Sequence, residues 1–377
     1  MDEKNTQAKK YERSKIILSI VQTTLSLLLI ILIIFGGYSV EIRDYVDGQS
    51  ANPYIQLSLF VIILSLIFTI IDFPLSFIKE FWLEHRYQLS NQTAAAWLWE
   101  QIKALLVGVV IFVPLLLIFY YLLRNAPHTW WLWTAAVLFL FSIVLGRIAP
   151  QVIFPLFYKF EPLQDEQLTK RMQRLAEAGK FRLQGVYKFN MSKDTKKANA
   201  AFTGMGKSRR IILGDTLLDN LTVDEIEAVF AHEVGHYVHK HLHWGIISGA
   251  LNIFVMLFLG DRIYSWALHG LQLRGPADLA ALPLLALILS VLGFVAAPLS
   301  NMLSRRFERQ ADAYAVQVSS RPEAFIEALK KLSVLNLTDT RPHPLIEFLF
   351  HSHPAVSKRI QMIESLLHRQ SPAVKTL

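Results

Sequence analysis

Six stretches of this chain meet or approach the roughly 20 mostly apolar residues that a helix needs to cross a bilayer. They run from about Ile16 to Gly37, Leu57 to Ile78, Ala104 to Leu123, Trp131 to Ile148, Trp244 to Leu259 and Leu279 to Leu299. Lipid offers no partner for backbone N–H and C=O groups, so these segments are predicted as helices that satisfy their hydrogen bonds internally. Composition agrees: 53% of the residues are hydrophobic and only 18% are charged, against about 25% charged in soluble domains. The first stretch is too long for a signal peptide, and no small-residue cleavage site follows before Tyr38, so it reads as a retained span.

Charge sets the orientation. Lys4, Lys9, Lys10, Arg13 and Lys15 precede the first span, whereas Arg43 is the only basic residue between the first and second, which predicts a cytoplasmic N-terminus. Six crossings return the C-terminus to the same side. The formal net charge of +8 is then the ordinary cytoplasmic bias of a membrane protein. No basic patch interleaved with aromatics points to nucleic acid, and nothing in the sequence calls for an obligate partner protein.

The expected organisation is a membrane region of about four spans over residues 1–158 and a polar segment over 159–243. Two further spans follow over 244–303, and a second polar segment over 304–377. The two polar segments face one compartment and are predicted to form a single globular part there. With no cysteine in the chain, disulfides, thiolate metal sites and Cys nucleophiles are excluded, so any metal must be bound through His, Asp or Glu.

The chemistry is carried by the run His232-Glu-Val-Gly-His236. Thr222 and Glu225 form a capping-box pattern, and Ile226, Val229, Phe230 and Val234 recur at helical spacing, so the run is predicted on a helix. Histidines four apart stack on one face and can share a zinc ion. Glu233, one position on, can reach a water in the metal's open position as a general base. A catalytic zinc of the His2Glu type needs one carboxylate from elsewhere and a further carboxylate to orient an imidazole. Glu308 and Asp312, four apart on a helical continuation of the last span, are assigned those two roles. A third histidine ligand six residues past His236 is excluded, because that position is Leu242. His239, His241 and His243 are read as interfacial or held by other groups. Arg305, Arg306 and Arg309 are read as snorkelling to headgroups, with capture of a substrate's terminal carboxylate as the less favoured role.

Several further runs complete a resemblance. They are Ile148-Ala-Pro-Gln-Val-Ile-Phe-Pro-Leu-Phe157, Phe160-Glu-Pro-Leu163, Asn199-Ala-Ala-Phe-Thr-Gly204, Arg210-Ile-Ile-Leu-Gly-Asp-Thr-Leu-Leu218, Phe307-Glu-Arg-Gln-Ala-Asp312 and His351-Ser-His-Pro354. With Glu227 to His236, they resemble the CAAX prenyl protease 1 family of integral membrane zinc endopeptidases. The resemblance implies a mainly α fold, a multi-pass transmembrane helical barrel enclosing a chamber, capped by a gluzincin-like zinc metalloprotease domain with a small β-sheet. It implies one Zn2+ per chain and a polypeptide substrate, prenylated or otherwise delivered by the membrane. Asn199, Ala200 and Phe202 would lie along the substrate backbone, and His353 near the zinc as a transition-state donor. The catalytic site would face the cytoplasm, in the cytoplasmic membrane of a prokaryote or the endoplasmic reticulum of a eukaryote.

The sequence departs from the eukaryotic pattern in having six spans rather than seven, a short link from Leu218 to His232, and a different Ser192–Ala198 run. Two other functions compete. A heat-shock-type quality-control protease would act on unlipidated misfolded proteins, but such enzymes are shorter with fewer spans. A non-hydrolytic zinc-stabilised scaffold would have no use for Glu233.

Overall fold

The computed structural model describes residues 2–203, 210–271 and 273–370. Gly204 and the end of the C-terminal segment lie outside them. Helices dominate. α1 (Asp2–Phe35) and α2 (Tyr38–Asp47) are separated by Gly37, whose φ of 79° lets the chain turn where a side chain would be strained. α3 spans Pro53–Arg86, α4 Ala94–Asn125 and α5 Trp130–Phe157. Asn52 and Thr93 cap the starts of α3 and α4, each side chain accepting from a backbone N–H of the first turn.

Among the described residues, six helices are long and apolar enough to cross a membrane: α1, α3, α4, α5, α8 (His241–Leu268) and α9, which with its leading turn covers Leu279–Val318. These are the six stretches expected, each extended beyond its apolar part. The last runs unbroken into the polar segment and carries Glu308 and Asp312 with it. The second and fourth contain π-helical turns, Phe77–Trp82 and Ala149–Ile153, just past Pro74 and around Pro150.

The spans close into a ring. α9 touches α8, α8 touches α5, and α5 touches α4. Phe73 and Phe77 of α3 pack on Trp97 of α4, α3 touches α1, and α1 returns to α9. In the most apolar windows of five of these helices no more than 11% of residues are buried, against 39% in α9. Helices packed into a solid bundle would each bury a full stripe. This ring therefore encloses open space, as the wall of a barrel. Its end away from the polar segments is sealed by Ile34, Leu123, Trp130, Leu257, Tyr264 and Leu285. There Trp130 Nε1 donates to Asp261 Oδ1 at 2.7 Å, Arg262 stands 2.8 Å from the other Asp261 oxygen, and Arg43 Nη1 donates to Asp278 Oδ2 at 2.8 Å, so the buried carboxylates are paired.

The other end carries the globular part. β1 (Phe160–Pro162), α6 (Glu166–Ala178), β2 (Gly185–Phe189), β3 (Ala200–Thr203) and β4 (Arg210–Gly214) precede α7 (Val223–Val238). The sheet order is β1-β2-β4-β3, with β2 and β4 parallel and β3 antiparallel to β4 at the edge. α10 (Glu323–Leu335), α11 (Pro344–Phe350) and α12 (Val356–Gln370) follow α9. One core gathers Met172, Ile211, Phe230, Val316, Phe325 and Ile363, from both polar segments.

Candidate active site

α7 begins with the capping box read from the sequence: Thr222 Oγ1 accepts from the Glu225 N–H at 3.4 Å, and Glu225 Oε2 from the Thr222 N–H at 2.7 Å. Its apolar face, with Ile226, Phe230 and Val234, enters the core, which fixes the rotation of the helix. The opposite stripe then presents His232 and His236 to α9. At the crossing, a Cβ on Gly235 would stand 2.8 Å from Ala311 Cα, so only glycine lets the two helices approach this closely.

That approach brings three donors together. His232 Nε2 lies 3.2 Å from His236 Nε2 and 3.4 Å from Glu308 Oε2, and His236 Nε2 lies 3.3 Å from Glu308 Oε1. Around a tetrahedral zinc with ligand bonds of about 2.0–2.1 Å, neighbouring ligand atoms stand about 3.3–3.4 Å apart. Glu308 Oε2 is also buried and accepts no hydrogen bond of good geometry, although His353 Nδ1 approaches to 2.8 Å. Spacing, donor chemistry and a buried lone pair without a donor all fit a divalent metal.

Asp312, fully buried, stands 2.8 Å from His232 Nδ1, the ring nitrogen facing away from this cluster. Arg359 of α12 grips Asp312 through two bonds, of 2.8 and 2.6 Å, and was not foreseen. It sits far along the chain on a helix with no spacing relation to His232, so no sequence signal pointed to it. Burial opposes a charge on His232, but the Asp312 and Glu308 carboxylates outweigh it and push the pKa up to about 9.

His241, first residue of α8, is buried with Nδ1 3.0 Å from His236 Nδ1 and Nε2 2.9 Å from Gln310 Oε1. It approaches the outer nitrogen of His236 as Asp312 approaches that of His232. Lys240, in the left-handed region at φ 56°, makes the turn that swings it back. His239 ends α7 and His243 is exposed.

Arg305 differs from both roles read for it. It is buried, and its Nη1 donates to the carbonyls of Glu347 at 2.9 Å and His351 at 2.5 Å, fixing the turn that carries His353. Arg306 and Arg309 are exposed.

A cavity of about 440 Å³ is lined by His232, Glu233, Glu308 and His353 on one side and by Asn199 and Ala200 on another. Asn199 and Ala200 therefore reach the same cleft as the paired histidines. Phe202, in β3 opposite Ile211, is described by its backbone alone.

Comparison with known proteins covers nearly all of the chain. The model of peptidase family M48 matches residues 162–367, and one described as CAAX prenyl protease N-terminal, five membrane helices, matches residues 1–159. An uncharacterized metalloprotease, YhfN of Bacillus subtilis, is 33% identical over 95% of this chain and 84% of its own length. CAAX prenyl protease 1 of Saccharomyces cerevisiae is 32% identical over 81% of this chain and 71% of its own. The crystal structure of S. mikatae Ste24p superposes with a TM-score of 0.85 at 27% identity, covering 97% of this chain and 90% of that one. Fold, donor cluster and similarity converge, and the chain belongs to peptidase family M48 as a multi-pass membrane metalloprotease of the CAAX prenyl protease 1 type.

Proposed function

We propose that this protein is a zinc endopeptidase, one ion per chain, that cuts near the C-terminus of prenylated or otherwise membrane-delivered polypeptides. His232, His236 and Glu308 would hold the ion, and their mutual spacing is the observation that carries the reading. A zinc ion bound there supplies an acidified water and polarises the scissile carbonyl. Glu233, on the cleft wall, takes the water's proton and passes it to the leaving amine. His353, on the turn held by Arg305, donates to the oxygen that gains negative charge. Asp312 fixes the tautomer and orientation of His232, and the edge of β3 at Asn199, Ala200 and Phe202 aligns the substrate backbone.

Helices apolar enough to cross a membrane stand beside the cleft, which supports a substrate delivered from the bilayer. A cytoplasmic site is supported by the basic N-terminal tail together with the contact of Glu12 on α1 with His351, 3.0 Å apart. The test compares matched farnesylated and unmodified peptides on purified, metal-assayed protein. Glu233→Gln should keep the metal and lose about 10²–10⁴-fold in turnover. Retained turnover would remove Glu233 as the base. Equal cleavage of both peptides would transfer the enzyme to quality control of unlipidated proteins.

A further inference from the structure

Among the described residues, β3 pairs with β4 along one edge and with no strand along the other, and Ala200 lines the cleft. Gly214 N–H donates to Asn199 O at 2.9 Å, so 199 and 214 form a bonded pair of the antiparallel ladder. Bonded and non-bonded pairs alternate along such a ladder. With Ala200 opposite Leu213 and Ala201 opposite Ile212, Ala201 turns its N–H and C=O inward to β4, and Ala200 turns both outward. Lys197 keeps the inward phase, its carbonyl accepting from Thr216 Oγ1 at 2.7 Å.

Ala198 belongs to the outward phase, and its two groups are already occupied. Its N–H donates to Asn336 Oδ1 at 2.9 Å, and its carbonyl accepts from Asn336 Nδ2 at 3.1 Å. The side-chain amide of Asn336 presents one acceptor and one donor, the same pair a neighbouring strand would present. Asn336 stands at the C-terminal end of α10, where its own N–H is bonded to Leu332 O at 3.0 Å. It lines the same cavity as Glu233 and His353.

We propose that Asn336 is a positioning residue that stops the substrate groove: it takes the strand-partner place at Ala198, so a bound chain can pair only from Ala200 onward. This rests on the reading of β3 as the substrate edge. A strand held only by backbone bonds can slide, and a slip of two residues keeps every side chain on its own face. By closing one end of the edge, Asn336 sets which peptide bond lies over Glu233.

The experiment maps cleavage sites by mass spectrometry on a set of unmodified and farnesylated peptides longer than the groove, using full-length protein in detergent. Wild type should yield one principal bond. Asn336→Leu, of similar volume but without hydrogen bonds, should add a product displaced by two residues at no less than about a tenth of the principal one, and raise KM about fivefold. Metal content should stay at the wild-type value while the unfolding midpoint falls, because the buried Ala198 N–H and C=O lose their partners; a merely structural role would lower the midpoint without displacing the cleaved bond. If the Leu variant does not fold, Asn336→Asp, which keeps the acceptor and sets a carboxylate against the Ala198 carbonyl, should show the same displaced product. A single unshifted product with unchanged KM overturns the proposal.

Ala200→Pro tests the underlying reading separately. It removes an outward N–H that has no partner in the sheet, and proline is tolerated at such edge positions. KM should rise with the cleaved bond unchanged. An unchanged KM would overturn the reading of β3 as substrate edge and the register stop with it.

Discussion

His232 is held from both sides, by Glu308 at one ring nitrogen and Asp312 at the other, and this makes metal binding a competition with a proton. The folded protein without metal keeps His232 protonated up to about pH 9, above the free imidazole value, so over that range a proton must leave before the ion enters. The sign follows: each unit of acidification below pH 9 should weaken apparent zinc affinity about tenfold, and calorimetry near pH 7 in buffers of different ionisation enthalpy should find about one proton released per zinc. A flat affinity from pH 9 to 7 would contradict the pairing. Asp312→Asn keeps the shape but leaves Arg359 without its counter-charge, so chelator competition should find zinc affinity lowered about 10–100-fold. The four-residue steps from His232 to His236 and from Glu308 to Asp312 were readable because one helical turn has a fixed repeat. Arg359, His241 and Asn336 were not, because each meets its partner only through the crossing of helices that the sequence does not encode locally.

The crossing of α7 and α9 decides whether those two pairs meet, and Gly235 decides the crossing. A methyl there would press on the backbone of Ala311 at 2.8 and 3.0 Å, and backbone cannot rotate away as a side chain can. Gly235→Ala should therefore force the helices apart, costing about 1–3 kcal/mol in unfolding and lowering zinc occupancy along with it. Full occupancy and an unchanged midpoint would mean that the helices have slack. The glycine was visible inside the His232–His236 run but its purpose was not, since spacing reveals faces and not interhelical distance. The start of α7 was visible in full: Thr222 and Glu225 make both bonds of the capping box, a local device that depends on four consecutive residues. Element ends were less visible. The continuation of the last span through Asp312 was readable, but its end at Val318 was not, because a polar helix that packs on α7, α11 and α12 needs no apolar run to persist.

The six spans and the single catalytic unit were readable from hydropathy and charge, whereas closure of the ring rests on side chains such as Phe73, Phe77 and Trp97 that hydropathy treats alike. What joins the barrel to the protease is a polar junction that no pattern announced. Lys197, two residues before Asn199, donates to Glu84 at the end of α3 at 2.9 Å and to Tyr11 of α1 at 2.8 Å, while Tyr11 itself donates to Glu84. Lys196 N–H is bonded to Leu89 O at 2.8 Å, and Asn91 N–H to Asp194 O at 3.0 Å, so the whole lead-in to β3 is laced to the loop after α3. The departures from the family pattern in Ser192–Ala198 thus fall on the side of the strand that faces the barrel. Burial lowers the Lys197 pKa while Glu84 opposes that shift, which marks the pair as a partly dehydrated ion pair whose members depend on each other. Lys197→Met and Glu84→Gln should each lower unfolding stability in detergent by about 1–3 kcal/mol, Glu84→Gln the more, because Lys197 then loses its carboxylate whereas Glu84 keeps Tyr11 and Lys15 when Lys197 is removed. The double variant should lose less than the sum, since neither charge is then left alone. Strict additivity would mean that Lys197 and Glu84 do not depend on each other. Coupling of the expected sign, accompanied by a raised KM in the single variants, would tie the alignment of the substrate strand to the membrane helices that deliver the chain to it.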